Sequence, residues 1–304
     1  MGRQEYLRVD VFTDQPFCGN PLAVFPAADG LSTAQMQRIA REMNLSETVF
    51  CVASDKPQAD VRLRIFTIDR ELPLAGHPTV GAVFALATSG RFAAGPSDAV
   101  VWCELGVGVL PVEVERDGDR VRRVVMTQRE PHFGEPFARV DQVAAALGLP
   151  ARALCPADLP IRVVDTGIPW LLVPVVDLPA IRRIQVDVMR CAAIAQQCDT
   201  DAFYAFTQDV LDPTCTVHAR HVAFGSLTPG EDPATGSAAG CLASYLVAES
   251  VVLAAPDASL AIEQGVEIGR PSRIEAMVDV EGTRPKRVRV GGSAVLVGHG
   301  EITV

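Results

Sequence analysis

Residues 231–246 read EDPATGSAAGCLASYL, an acidic loop that runs into a segment of small, uncharged side chains. Asp232 is a favourable N-cap residue, and Pro233 suits the first turn of a helix. A helix that is apolar on every side is predicted to be buried. Its first N–H groups then need an acceptor inside the protein, which an anionic ligand could supply. Taken alone, the segment is more typical of a plain core helix with a good cap.

The same pattern occurs a second time in the chain. Residues 71–86 read ELPLAGHPTVGAVFAL, again with an acidic residue, a proline, an alanine and a glycine ahead of small side chains. The two copies lie about half a chain apart, which predicts two similar halves, each with a buried helix N-terminus. Two such termini facing one cleft would form a carboxylate-binding site.

Composition restricts the class of protein. The 304 residues are 48% hydrophobic and 21% charged, and the formal net charge is -10. These values are typical of a globular protein and argue against nucleic acid or an anionic membrane as a partner. No apolar run approaches the roughly 20 residues of a membrane span. The first residues lack the apolar core of a signal peptide, so a cytoplasmic protein is expected.

Cysteines and histidines give no sign of a metal site. The eight cysteines include no C-x-x-C pair, and most lie in apolar surroundings, which indicates reduced core thiols. His218 and His221 are close in sequence, but their segment has the composition of a strand, which would place the two rings on opposite faces. We therefore expect neither a metal nor another cofactor.

The order of strand and helix patterns predicts an α+β fold. Residues 1–129 contain strand patterns, an amphipathic helix over residues 32–43 and the first small-residue helix. Residues 130–304 repeat this content around the second small-residue helix, and the last strand could return to the N-terminal half. The polar residues 129–136 are predicted to form the crossover between the halves.

One acidic residue stands out in the N-terminal half. Glu47 lies at the start of a strand whose later residues are apolar. A carboxylate in that position is either a solvated strand end or a functional acid, and the local sequence favours neither interpretation.

Five short motifs span nearly the whole chain: residues 19–21 (GNP), 44–48 (NLSET), 75–81 (AGHPTVG), 231–238 (EDPATGSA) and 265–272 (GVEIGRPS). Together, and in this order, they resemble the motifs of the PhzF, or phenazine-biosynthesis-like, isomerase family. The resemblance implies the diaminopimelate-epimerase-like fold, with two pseudo-symmetric halves, each a curled, mainly antiparallel sheet around a central helix. It also implies an active site between the halves and a homodimer.

The resemblance further implies roles for individual residues. Glu47 would be the general acid/base that moves a proton between carbon atoms. His77 and Asp232 would lie beside it, and Ser237 would assist. A base in a dry cleft, with donors where negative charge develops, suits the abstraction of a proton from carbon.

The substrate carboxylate would be bound at the two helix starts. The resemblance assigns this binding to backbone N–H groups of Gly76 and Gly236, with Thr235 as a further substrate-binding residue. This agrees with the separate argument that buried helix N-termini need an acceptor.

The sequence departs from the racemases of this fold. Proline racemases and diaminopimelate epimerases use two cysteines at the helix starts, where this chain has Ala75 and Ala234. Two-thiol racemisation is therefore disfavoured. The strand before Asp232, with His221, Val222 and Phe224, is unusual for the family and could reshape the substrate pocket. His299 is unusual as well.

Three functional hypotheses follow. The leading one is a cofactor-independent isomerase that acts on a small carboxylate-bearing metabolite. The second is an amino-acid or hydroxy-acid racemase without catalytic thiols, which would use Glu47 and Asp232 instead. The third is a binding or scaffold protein that keeps the fold and has lost the chemistry.

Overall fold

The structure is a computed structural model that describes residues 2–90, 98–200, 202–224, 230–254 and 256–304. The chain forms two compact units: unit 1 comprises residues 1–127 and 291–304, and unit 2 comprises residues 128–290. Within the described residues, no helix is both long enough and apolar enough to cross a membrane.

Unit 1 is built from the first part of the chain and its C-terminal strand. Its elements are β1 (Arg3–Val11), β2 (Asn20–Phe25), α1 (Thr33–Met43), β3 (Thr48–Val52), β4 (Val61–Phe66), β5 (Glu71–Leu72), α2 (Gly76–Thr88), β6 (Ala99–Leu105), β7 (Gly108–Asp117), β8 (Arg120–Thr127) and, from the end of the chain, β17 (Ala294–Thr303).

The strands of unit 1 form a mainly antiparallel sheet. They pair in the order β17, β1, β2, β3, β4, β6, β7, β8, and only the pairs β2–β3 and β4–β6 in this series are parallel. Parallel neighbours need a crossover connection. Here α1 connects β2 to β3, and α2 lies between β4 and β6.

Unit 2 contains the remaining strands and α-helices. They are β9 (His132–Pro136), α3 (Val140–Ala146), β10 (Arg162–Asp165), β11 (Pro169–Pro174), α4 (Leu178–Arg182), α5 (Val188–Cys198), β12 (Phe203–Thr207), β13 (Val217–Val222), α6 (Gly236–Ala248), β14 (Asp257–Gln264), β15 (Ser272–Glu281) and β16 (Arg284–Gly292), of which residues 284–290 belong to this unit.

Unit 2 repeats the connectivity of unit 1. The order β10, β11, β12, β13, β14, β15 alternates antiparallel and parallel pairs in the same way as β1, β2, β3, β4, β6, β7. Helix α6 takes the place of α2, because it lies between the parallel partners β13 and β14. The repeat inferred from the two small-residue segments is therefore present in the strand order.

The two small-residue helices are the central helices of their units. Every residue is buried from His77 to Ala87 in α2 and from Ala238 to Val247 in α6. Helix α2 contacts β1 and β17 as well as β7 and β8, and α6 contacts β10 and β11 as well as β14 and β15. Each sheet therefore curls around its helix, and the predicted α+β fold is confirmed.

Helix α1 shows how the peripheral helices differ from the central ones. Its N-cap Ser32 and Gln35 form a reciprocal capping box, and Met36, Ile39 and Ala40 point into the core. There they join the stacked rings of Phe25 and Phe50. An amphipathic helix with its own cap needs only one buried face, whereas α2 and α6 are enclosed by their sheets.

One local prediction is wrong. The N-cap of α6 is Thr235, not Asp232, because Gln264 binds the carbonyl of Asp232 and the N–H of Thr235 and keeps this stretch outside the helix. Within the predicted crossover of residues 129–136, residues 132–136 form β9, which pairs with β10. In both places a partner distant in sequence decides the local structure.

The loop of residues 265–271 packs closely against the approach to α6. Gly265 has a φ of 78°, and a Cβ atom there would lie 2.4 Å from the carbonyl oxygen of Arg270 and 2.6 Å from that of Pro233. Gly269 has a φ of 72°, but a Cβ atom there would meet nothing within 4 Å. The two glycines thus share a left-handed backbone and differ in the space around them.

This difference predicts unequal effects of alanine. Gly269→Ala should lower the free energy of unfolding by about 1–2 kcal/mol, the cost of a left-handed alanine. Gly265→Ala should lower it by about 3 kcal/mol or more, because the methyl group must also displace backbone atoms. Urea unfolding of the two variants beside the wild type measures both values, and equal losses would contradict the packing argument.

Candidate active site

Glu47 and His77 lie together in unit 1. Glu47 immediately precedes β3, and His77 is the second residue of α2. His77 Nε2 is 3.3 Å from Glu47 Oε2, and both side chains are almost entirely buried. Burial lowers the pKa of His77 to about 3, so its ring is neutral at physiological pH. The pair therefore consists of a carboxyl group and a neutral imidazole in a dry environment.

The other edge of the His77 ring is held by Asn20. Asn20 is the first residue of β2 and is fully buried. Its Nδ2 atom is 3.2 Å from His77 Nδ1. The imidazole therefore has a polar neighbour on each nitrogen, which fixes the orientation of the ring.

The central helices begin without side-chain caps. In the described structure, neither Ala75 at the start of α2 nor Thr235 at the start of α6 caps its helix through its side chain. By contrast, Asp177 and Asp187 accept hydrogen bonds from the first turns of α4 and α5. An uncapped helix N-terminus carries a partial positive charge and N–H groups that suit an anion.

Asp232 lies in a hydrogen-bonded turn before α6 in unit 2. Its carboxylate accepts a hydrogen bond from the hydroxyl of Thr235 at 2.6 Å, and its own N–H donates to Nδ1 of His221 at 3.0 Å. Gln264 donates to the Asp232 carbonyl at 2.7 Å and accepts from the Thr235 N–H at 3.0 Å. The hydroxyl of Tyr204 donates to the same Gln264 side chain. The turn is therefore rigid, and both donors of Thr235 are used inside it.

Ser237, the second residue of α6, is also held by a strand residue. The indole N–H of Trp170 donates to Ser237 Oγ at 3.2 Å. The Trp170 ring meets the ring of His221 edge to face, with centroids 5.7 Å apart. Burial lowers the pKa of His221 to about 4, so this ring is also neutral at physiological pH.

Comparison with known proteins gives the family. The family model described as phenazine biosynthesis-like protein, PhzC-PhzF, matches residues 9–300. The chain belongs to this family. An uncharacterised isomerase of Mesorhizobium japonicum is 37% identical over an alignment that covers 100% of both chains. The trans-2,3-dihydro-3-hydroxyanthranilate isomerase of Pseudomonas aeruginosa is 35% identical, with 97% of this chain and 98% of that protein covered.

A solved structure agrees with the sequence relatives. The crystal structure of the Bacillus anthracis phenazine biosynthesis protein of the PhzF family superposes with a TM-score of 0.90 over 100% of both chains, at 28% identity. The predicted membership of the PhzF-like family is thus confirmed, and the chain is a PhzF-like isomerase.

The structure places the predicted site residues of this PhzF-like chain in two groups. Glu47, Gly76 and His77 lie around the start of α2 in unit 1. The second group, around the start of α6 in unit 2, consists of Asp232, Thr235, Gly236 and Ser237.

Other polar residues of these groups received no role from the sequence. Asn20 lies in a recognised motif but carried no assigned function, and Trp170 and Tyr204 had no local signal. A hint existed for Gln264, because a glutamine follows an apolar strand directly before a glycine.

The thiols of this PhzF-like chain are not at the helix starts. Ala75 is the N-cap of α2, and Ala234 directly precedes the N-cap of α6. Cys241 lies inside α6 and is fully buried, and burial raises its pKa to about 12. A thiol of such high pKa is a poor base or nucleophile. Among the described residues, no group of three or more His, Cys, Asp or Glu side chains is arranged to hold a metal ion.

Proposed function

We propose that this isomerase moves a proton between carbon atoms of a small carboxylate-bearing metabolite, without a cofactor, and that Glu47 is the general acid/base. The observation that carries the proposal is the buried contact of 3.3 Å between Glu47 and the neutral His77 at the start of α2. A base that removes a proton from carbon needs such a dry, positioned carboxylate.

His77 supports this chemistry as a neutral group. A neutral imidazole beside Glu47 adds no positive charge that would keep the carboxylate permanently ionised. Glu47 can therefore hold a proton after it leaves one carbon and return it to another. A hydrogen bond from the imidazole can stabilise negative charge that develops during the transfer.

The second group contributes further residues to the proposal. Asp232 and Ser237 are proposed catalytic residues on the basis of the family resemblance. Thr235 supports Asp232 through its hydroxyl. The N–H groups of Gly76 and Gly236, each the first residue of an uncapped buried helix, are the proposed donors to substrate carboxylate.

Solvent deuterium exchange tests the proposed function. The protein is incubated in D2O with a panel of small carboxylates, beginning with trans-2,3-dihydro-3-hydroxyanthranilate, which the name of the Pseudomonas aeruginosa relative indicates. NMR then measures deuterium at each carbon. A double-bond shift with deuterium at a new carbon supports the isomerase, and inversion at the exchanged carbon of an amino or hydroxy acid supports the racemase. Saturable binding without exchange across the panel would favour the binding protein.

We also propose a homodimer, on the strength of the family resemblance. Light scattering at micromolar concentrations should give a mass of about twice the 32.4 kDa of one chain. A mass that stays at the single-chain value over this range would reject the dimer.

A further inference from the structure

The Gly-Asn turn before β2 places Asn20 against His77. Gly19 has a φ of 63°, and a Cβ atom there would lie only 2.3 Å from the carbonyl oxygen of Val11. The turn therefore requires glycine. Asn20 follows at once as the register partner of Val11, so the position of its side chain is set by the sheet.

The contact between the two side chains has a direction. An amide NH2 group can only donate a hydrogen bond, so the ring nitrogen that faces it, His77 Nδ1, must accept. A neutral imidazole carries one proton, which then lies on Nε2. That nitrogen is the one 3.3 Å from Glu47 Oε2.

The Glu47 side of the ring favours the same tautomer. As a general base Glu47 must be ionised, and if the His77 proton were then on Nδ1, the lone pair of Nε2 would face that carboxylate across 3.3 Å, which is repulsive. With the proton on Nε2, the positive end of an N–H bond faces the carboxylate instead, which is attractive at 3.3 Å even though the two atoms are not aligned for a hydrogen bond. The two neighbours of the ring thus select one tautomer from opposite sides.

We propose that Asn20 is a positioning residue that holds His77 as the Nε2–H tautomer, so that His77 serves Glu47 and the substrate only as a hydrogen-bond donor. In this arrangement His77 cannot take up the transferred proton at the nitrogen that faces Glu47, and Glu47 is the sole proton carrier of the pair. The catalytic consequence depends on the proposed function, whereas the tautomer is a property of the resting protein.

The tautomer can be measured directly on the whole chain. Histidine nitrogen NMR of ¹⁵N-labelled protein distinguishes protonated from unprotonated ring nitrogens, and the His77 signals are identified by their loss in His77→Asn. In the wild type we expect a protonated Nε2 and an unprotonated Nδ1. A wild-type His77 protonated at Nδ1 would overturn the proposal, and this outcome needs no other variant and no substrate.

Asn20→Asp tests whether Asn20 sets the tautomer. A carboxylate at position 20 accepts a hydrogen bond where the amide donated one, so His77 Nδ1 should become protonated. Asn44→Asp is the matched control, because it makes the same chemical change at the exposed C-cap of α1. An Nδ1 signal that stays unprotonated in Asn20→Asp would overturn the proposal.

Activity completes the test once a substrate is known. Asn20→Asp should lower the rate of exchange by about 10- to 100-fold, the range for outer partners that orient a histidine. Asn44→Asp should retain the wild-type rate. A changed tautomer with an unchanged rate would remove Asn20 from the mechanism. A wild type that exchanges nothing would reject the proposed function and leave the tautomer measurement valid.

Discussion

Replacement of Glu47 by glutamine should lower the rate of proton exchange by about 10²- to 10⁴-fold or more. Glutamine preserves size and hydrogen bonding but cannot accept the proton, so an interaction present in the transition state is lost. Substrate affinity should change far less, because the neutral donors at the helix starts remain. The measurement is deuterium incorporation under single-turnover conditions, with substrate affinity determined separately.

Two control variants isolate the role of this carboxylate. Glu42→Gln makes the same charge change on an exposed position of α1 and should keep full activity. Cys241→Ala removes a thiol that contacts Thr166 and the carbonyl of Ile168 in the core, so it should affect stability more than turnover. Retained exchange in Glu47→Gln, together with its loss in Cys241→Ala, would overturn the assignment of Glu47.

The sequence predicted the elements that depend on local composition. The two runs of small residues identified α2 and α6, because a helix without charge on any face has to be buried. Their similarity also predicted the repeat that appears in the strand order. The local sequence left Glu47 undecided between a solvated strand end and a functional acid, and only the family resemblance made it the candidate base.

The contacts that organise the candidate site could not be predicted in this way. Asn20 and His77 are 57 positions apart, and their contact depends on how β2 packs beside α2. Asp232 has the composition of an N-cap, but Gln264 from the end of β14 competes for the same backbone groups. Such hydrogen bonds depend on tertiary geometry, which propensity and periodicity do not contain.

A cluster of charged residues in unit 2 supports the turn before α6. His218 on β13 is fully buried and lies between two carboxylates, 2.8 Å from Glu263 Oε1 and 3.0 Å from Glu267 Oε1. On the same strand, Arg220 forms a two-pronged pair with Glu231, the residue before Asp232. Glu267 belongs to the loop whose Gly265 contacts Pro233. Through these ion pairs, strand β13 holds both the loop of residues 265–271 and the turn before α6.

Other groups face the same cluster. Glu263 also accepts hydrogen bonds from the N–H groups of Leu211 and Asp212. Arg182, at the end of α4, lies 3.6 Å from Glu267. The two carboxylates are thus bound by several donors, but only His218 contacts both of them among the described residues.

The cluster makes stability depend on pH in a defined direction. Burial opposes the charge on His218, but the hydrogen bonds and charges of Glu267 and Glu263 outweigh it and raise the pKa of His218 above its ordinary 6.5. Burial likewise opposes ionisation of Glu267, but His218 lowers its pKa below the ordinary 4.5. The stabilisation that His218 contributes is complete below about pH 6.5 and is lost as the pH rises through the pKa of His218 in the folded protein. The stabilisation that Glu267 contributes is complete above about pH 4.5 and is lost as the pH falls through the pKa of Glu267 in the folded protein.

His218→Gln should therefore lower the free energy of unfolding by about 3–5 kcal/mol near pH 6, because it leaves two buried carboxylates without the cation between them. The difference from the wild type should narrow as the pH rises through the folded pKa of His218, since the wild type then loses the same charge. Urea unfolding from pH 5 to pH 9 measures both effects. The control is His132→Gln, which replaces an exposed histidine of the same unit and should change the free energy of unfolding by less than about 0.5 kcal/mol.

A double variant separates the charge cluster from simple packing. In His218→Gln combined with Glu267→Gln, one of the two unpaired carboxylates is gone, so the loss should be smaller than the sum of the single losses. Additive losses, or a loss in His218→Gln that is the same at every pH, would show that the imidazole acts by its volume. If the two losses are coupled as predicted, protonated His218 holds Glu267 and so stabilises the loop of residues 265–271, which packs against Pro233. Strand β13, which carries His218 and Arg220, then stabilises the position of Asp232 through the residues on both sides of it.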